Sequence, residues 1–382
     1  MNGPESALSK GPPKLVRGGT LDAIRLFASV FIVVFHFSDF APFSIQSLHP
    51  ALLRGFLATD FFLVLSGYVL SRAYGASVLT DSVADFWFFI KRLSRVWPPH
   101  ALVLILLVGA TIVAHSVGYA PRDPHWFNWS QLPTQVFLLQ SLGVPGGNGW
   151  NLPSWTLSAL LICYSLFPFI WRVQSRIKSA WIVLGLAWVI VFLAAWVAQA
   201  TLGQSINGAS LHYGLLRTGP MFLLGLAIAR VIQDVPISKP VAQRIGLAGV
   251  IWFVALLLRP ERHDVMALVG IVAIIFSAAA QPVLKPSKFF QEGAEMSFSI
   301  YITHVTWATM WFGAFHALSK HIPLSETQRW VIWGAGCVFA LCFAALFHFW
   351  VDQPLQKFIR SKLGQYQDRG PGRAQNVSAL PR

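Results

Sequence analysis

Arg25 and His36 are eleven residues apart in LDAIRLFASVFIVVFHFSDF, an otherwise apolar run. At 100° per residue that interval is close to three whole turns, so both side chains fall on one helix face about 16–17 Å apart. Arg25 sits at the polar end, where Asp22 is one turn back and where a long cation can also reach for headgroups. His36 is deeper, and imidazole is the side chain that most readily takes and returns a proton. A second apolar run, ATDFFLVLSGYVLSR, carries Asp60 at a comparable depth. A carboxylate there could fix the tautomer of His36 or stabilise its imidazolium, or it could pair structurally with another polar group. Lys91, Arg92 and Arg95 form a third cluster in FWFFIKRLSRVWPP. Three packed cations suit a polyanionic ligand, and they equally suit anionic lipid.

The elements that must hold these residues are membrane helices. Charged residues are 12% of the 382, against 55% for AVILMFWYC residues, too few charges to clothe a soluble surface. The expected fold is all-α, a polytopic bundle of ten spans near 21–40, 54–72, 96–117, 152–171, 180–200, 211–229, 242–258, 265–283, 297–316 and 330–351. The runs do not alternate apolar and polar, which excludes a β-barrel. Of the 29 Lys and Arg, 21 fall on the side of the N-terminus, six on the other and two, Arg25 and Arg217, within spans. Both termini are therefore expected in the cytoplasm, and the excess over 15 acids reflects topology rather than nucleic-acid binding. Residues 1–20 read as a flexible arm with no cleavable leader, 21–356 as the membrane domain, and 357–382 as a polar basic tail. Cys163, Cys337 and Cys342 lie in apolar stretches, and neither they nor the histidines show the spacing of a metal site. The segment 118–151 reads as a long loop with an interfacial helix near Trp129–Leu139, and Ser66-Gly67 as a point of close helix packing.

Seven motifs in order resemble the membrane acyltransferase-3 family. They are Arg25-x10-His36 after Leu21-Asp22-Ala23; Asp60-Phe61-Phe62 with Ser66-Gly67; Arg92-Leu93-Ser94-Arg95-Val96-Trp97-Pro98; Pro153-Ser154-Trp155-Thr156-Leu157 with Tyr164 and Pro168; Arg217 with Phe222 and Gly225; Ser297 to His304; and Asp352-Gln353-Pro354. The resemblance implies an enzyme of the inner (plasma) membrane that moves an acyl group, commonly acetyl, from cytoplasmic acyl-CoA to a carbohydrate or glycolipid acceptor beyond the bilayer. It implies His36 as base with Arg25 and Asp60 beside it, and Arg92, Arg95 and Lys91 on the donor phosphates. Trp155, Tyr164, His304 and Arg217 are candidates for acceptor contact or support. Leu160 stands where the family usually has glutamate, which leaves a catalytically silent member as an alternative. A transporter or flippase using His36 and Asp60 as a proton relay is another, although residues 21–171 and 180–351 show no repeat of one another.

Overall fold

The computed structural model describes residues 19–80, 83–119, 124–144, 149–209, 211–259, 261, 263–281 and 286–368. Most of the N-terminal arm and the tail beyond 368 lie outside them. Regular structure among the described residues is helical throughout. The helices are α1 (Thr20–Phe37), α2 (Leu57–Thr80), α3 (Val83–Ser116), the single turn α4 (Leu132–Val136), α5 (Ser154–Arg176), α6 (Ala180–Leu202), α7 (Gly214–Asp234), α8 (Lys239–Leu257), α9 (Asp264–Ala279), α10 (Lys288–Ser319), α11 (Glu326–Phe347) and α12 (Gln353–Asp368). Each of the ten apolar runs falls on one of them. Helix is the form that satisfies backbone N–H and C=O groups within one segment when no water is at hand. Among the described residues, eight helices are long and apolar enough to cross a bilayer, and the chain is a multi-pass membrane protein. The other two expected spans differ for distinct reasons. α9 has only 16 residues, whereas α10 has 32 but carries buried Ser297, Ser299, Thr303, His304 and Thr306.

The centre of the bundle is the crossing of α2 and α7. Gly67 abuts the carbonyl of Phe222, and Gly225 abuts the carbonyl of Val64, so neither position has room for a Cβ. The two backbones touch there because small residues remove the side chains between them, as the Ser66-Gly67 pair suggested. α1 packs along α10, and α10 along α11. Gly249 and Gly270 bring α8 against α9 in the same backbone-to-backbone manner. The outer faces present large apolar side chains such as Ile105, Trp196, Ile251 and Val331, a surface suited to lipid.

Two boundaries differ from the expected ones. The third span was expected to begin at Val96, with the Lys91, Arg92 and Arg95 cluster ahead of it and Pro98-Pro99 marking a start or break. Instead α3 runs unbroken from Val83 through both prolines. Prolines at 98 and 99 deprive the carbonyls of Ser94 and Arg95 of their helical donors, and the Gln356 amide donates to both, at 3.3 and 3.4 Å. Gln356 belongs to α12, so the second difference explains the first. The start of the expected basic tail is helical: α11 continues through a π-helical turn at His348–Asp352 into α12, which packs against α3.

At the opposite end, the residues read as a long loop are tied into the bundle. Trp97 Nε1 donates to the Val136 carbonyl at 2.8 Å, Trp150 Nε1 to Asn128 at 2.9 Å, and Asn151 Nδ2 to Ile302 at 3.1 Å. The expected interfacial helix is reduced to α4 and a neighbouring turn at Trp129–Gln131.

The crossing supplies a test. Gly225→Ala should lower thermal stability in detergent, at a cost of about 1–3 kcal/mol or more for overpacking against backbone. Gly185→Ala, on a face with nothing within 4 Å, should leave the melting temperature unchanged or slightly raised.

Candidate active site

The cations of the third cluster converge with those of α12 on one large cavity. Its volume is about 1590 Å³, more than the roughly 300–1,000 Å³ that holds a drug-sized ligand. Arg25, Arg72, Lys91, Arg92, Arg95, Lys357 and Arg360 line it, against Asp22, Glu295 and Asp352. Seven cations to three acids makes this the basic end of the bundle.

Two of the seven are held in place by the motifs themselves. Arg92 donates to the Tyr74 hydroxyl at 2.7 Å, with its guanidinium 4.9 Å above that ring. Arg95 pairs with Asp352 and lies 4.6 Å over the Phe298 ring. The acidic-x-Pro motif thus serves as the anchor of the Arg92-to-Pro98 motif. Asp352 also faces His348 Nδ1, at 3.6 Å.

Arg25 lines the same cavity. Its partners include Asp22 at 3.5 Å, one turn back as the sequence suggested, and the Ser297 hydroxyl at 3.3 Å.

His36 lies elsewhere. It lines a second cavity of about 250 Å³ with Ile32, Phe35, Phe56, Trp155, Asn207 and Arg217. Thr59 and Tyr301 line both cavities. Arg25 and His36 therefore do not border one open corridor; they border two chambers with a common wall. At that wall Tyr301 Oη lies 2.8 Å from Thr156 Oγ1 and 3.1 Å from the Pro153 carbonyl.

Asp60 does not orient His36. It is fully buried and both of its oxygens are taken. Arg217 Nε donates to Oδ1 at 2.7 Å and Asn207 Nδ2 to Oδ2 at 2.8 Å. Arg217 is only 3% exposed. It also donates to the Phe56 carbonyl at 2.9 Å and sits 5.7 Å over the Trp155 ring. A carboxylate at this depth takes the strongest donor available, here one charge-assisted bond from the buried guanidinium and one from the Asn207 amide. The ring actually beside His36 is His304, with centroids 5.1 Å apart.

The remaining candidates divide between the chambers. Trp155 is in the small one and Tyr164 in the large one, so the two aromatics do not line a single path. Leu160, at the position of the usual glutamate, is in the wall of the large chamber beside Leu157 and Tyr164. Several contributors escaped the sequence reading. Arg72, Lys357 and Arg360 had been assigned to topology and tail, although their charge was the available signal. Asn207 gave none, because a polar residue at a helix end is unremarkable. Thr156 and Tyr301 stood inside the recognised Pro153-to-Leu157 and Ser297-to-His304 motifs with no role attached.

Fold and site together define a class: a membrane-embedded helical bundle with a cation-lined chamber at one end and a histidine-bearing chamber behind it. Residues 19–349 match the acyltransferase-3 family, described as an acyltransferase domain, and the chain belongs to that family. It is similar to acyltransferase MdmB of Streptomyces mycarofaciens, 32% identical over 190 residues, which are 47% of this chain and 46% of that protein. The chain thus spans about half the length of that relative. It is also similar to protein 2 in the picA locus of Rhizobium radiobacter, 27% identical over 198 residues, 49% of this chain and 98% of that one. No solved structure matches it.

The buried pair makes a sharp prediction. Asp60→Ala or Arg217→Ala alone leaves an uncompensated buried charge and should cost about 3–5 kcal/mol. The double substitution Asp60→Leu with Arg217→Met should recover much of the loss, as read by thermal unfolding in detergent.

Proposed function

We propose that this chain is an integral-membrane O-acyltransferase. It takes an acyl group, in the first instance acetyl, from acyl-CoA at the basic end. It passes the group to a hydroxyl of a cell-surface or exported carbohydrate or glycolipid, with His36 as general base. The observation that carries this reading is the pair of chambers sharing Thr59 and Tyr301: a cation-lined one large enough for a nucleotide thioester, and a small one with an imidazole and a guanidinium in its wall. The family membership and the printed name of the Streptomyces relative support acyl transfer. The excess of Lys and Arg supports placing the basic end in the cytoplasm, with both termini there and the protein in the inner (plasma) membrane.

In this scheme Arg92, Arg95 and Lys91 receive the donor phosphates, joined by Lys357 and Arg360 of α12. Fixed guanidinium groups, already turned by Tyr74 and Asp352, bind phosphate without first having to be ordered. The flexible arm of the donor extends past Arg25 along the large chamber, and its thioester reaches the wall at Thr59 and Tyr301. The acceptor hydroxyl enters the small chamber and gives its proton to His36 as its oxygen attacks the thioester carbonyl. Arg217, a buried cation in the same wall, stabilises the negative charge that develops there. The C–S bond breaks, and the departing thiolate takes up the proton. The apolar lining contributed by Leu157, Leu160 and Phe62 keeps water from the thioester. Direct transfer is favoured over an acyl-serine or acyl-cysteine, because neither residue type lines the small chamber.

Membranes containing the protein, supplied with labelled acetyl-CoA, should place alkali-labile label in the glycan fraction. His36→Ala should reduce that incorporation by about 10²–10⁴-fold. Undiminished label with His36→Ala would remove this mechanism.

A further inference from the structure

His36 needs a neighbour that decides which of its two nitrogens carries the proton, and Asp60 is not that neighbour. His304 has the geometry for it. The residue sits in the middle of α10 and is 1% exposed. Its Nδ1 lies 2.8 Å from the carbonyl oxygen of Tyr301 and 3.1 Å from that of Ile300. A carbonyl can only accept, so Nδ1 carries the hydrogen and Nε2 is left with a bare lone pair. That Nε2 is buried and makes no hydrogen bond, a costly state unless something uses it. His304 lines neither chamber. The His36 ring is 5.1 Å away, centre to centre, at an angle of 38°, and a modest turn of that ring brings a nitrogen within hydrogen-bond reach of Nε2. Hydrogen bonds between catalytic groups are commonly looser before substrate is bound.

We propose that His304 is the positioning residue for His36. Locked as its Nδ1–H tautomer by its own helix, it offers Nε2 as the acceptor for one N–H of His36. This turns the other His36 nitrogen, with its lone pair free, toward the small chamber. During transfer the acceptor hydroxyl gives its proton to that free nitrogen, and His36 becomes imidazolium with its second N–H held on His304. The alkoxide oxygen bonds to the acyl carbon, the C–S bond breaks, and the proton leaves His36 for the thiolate. His304 keeps the same proton throughout. A neutral imidazole thus does the work that a carboxylate does in the serine-protease arrangement, without placing a permanent anion in an apolar bundle.

The inference rests on His36 being the general base, and the experiment separates the two claims. Inverted membrane vesicles carrying the native acceptor would be titrated with labelled acetyl-CoA, with wild type, His36→Ala, His304→Phe and His304→Gln at equal amounts of folded protein. Phe keeps the ring volume and loses the acceptor; Gln restores an amide oxygen near the Nε2 position. The maximal rate should fall at least about 100-fold in His304→Phe, with the KM for acetyl-CoA within about twofold, while His304→Gln stays within about tenfold of wild type. Full activity in His304→Phe, or equal losses in Phe and Gln, overturns the role of His304 while leaving His36 standing. Loss of the effect of His36→Ala, or no label transfer in wild type, overturns both claims.

Discussion

Asp60 and Arg217 face each other at 2.7 Å between α2 and α7, where both are buried among apolar side chains. Each alone would be intolerable there; together, with Asn207 and the Phe56 carbonyl taking the remaining bonds, they are satisfied. The pair sits just above the glycine crossing that holds the same two helices in backbone contact. Arg217 lines the small chamber together with His36, so the place of the pair shapes that chamber. The same rule, that a polar group within the bundle must find its partner in protein, accounts for Arg95 on Asp352, Gln356 on the proline-freed carbonyls, and Tyr301 on Thr156 and Pro153.

Under the proposed function the two chambers divide the chemistry. Phosphate recognition needs dense, well-hydrated charge and belongs at the basic end. Proton abstraction beside a thioester needs a dry setting in which few dipoles act strongly. Thr59 and Tyr301 line both chambers, so the two demands meet at a shared wall.

Much of this was legible in the residues. Ten apolar runs gave ten helices because helix is the economical way to pass backbone through lipid. Arg25 and His36 declared themselves by charge and periodicity, and Arg92 with Arg95 by clustering. What could not be read was long-range pairing. Depth along two helices suggested Asp60 for His36, but depth says nothing of rotation about the helix axis, and Arg217, 157 residues away, faces the same point. The unbroken course of α3 depends on Gln356, more than 260 residues on, and no local reading of Pro98-Pro99 contains it. α12 was missed for a different reason: its surface is polar, so it carries no spanning signal, yet it forms the rim of the large chamber.

On the proposed function, a donor anchored among Arg92, Arg95 and Lys91 reaches past Thr59 and Tyr301 to His36. A cryo-electron microscopy structure with the non-transferable thioether analogue of acetyl-CoA would show this directly. Its phosphates should lie on Arg92 and Arg95, with the acetyl-like end at Tyr301 within contact of the His36 ring. An analogue seated with its phosphates away from those arginines, or with its acyl end pointing away from the small chamber, would contradict it.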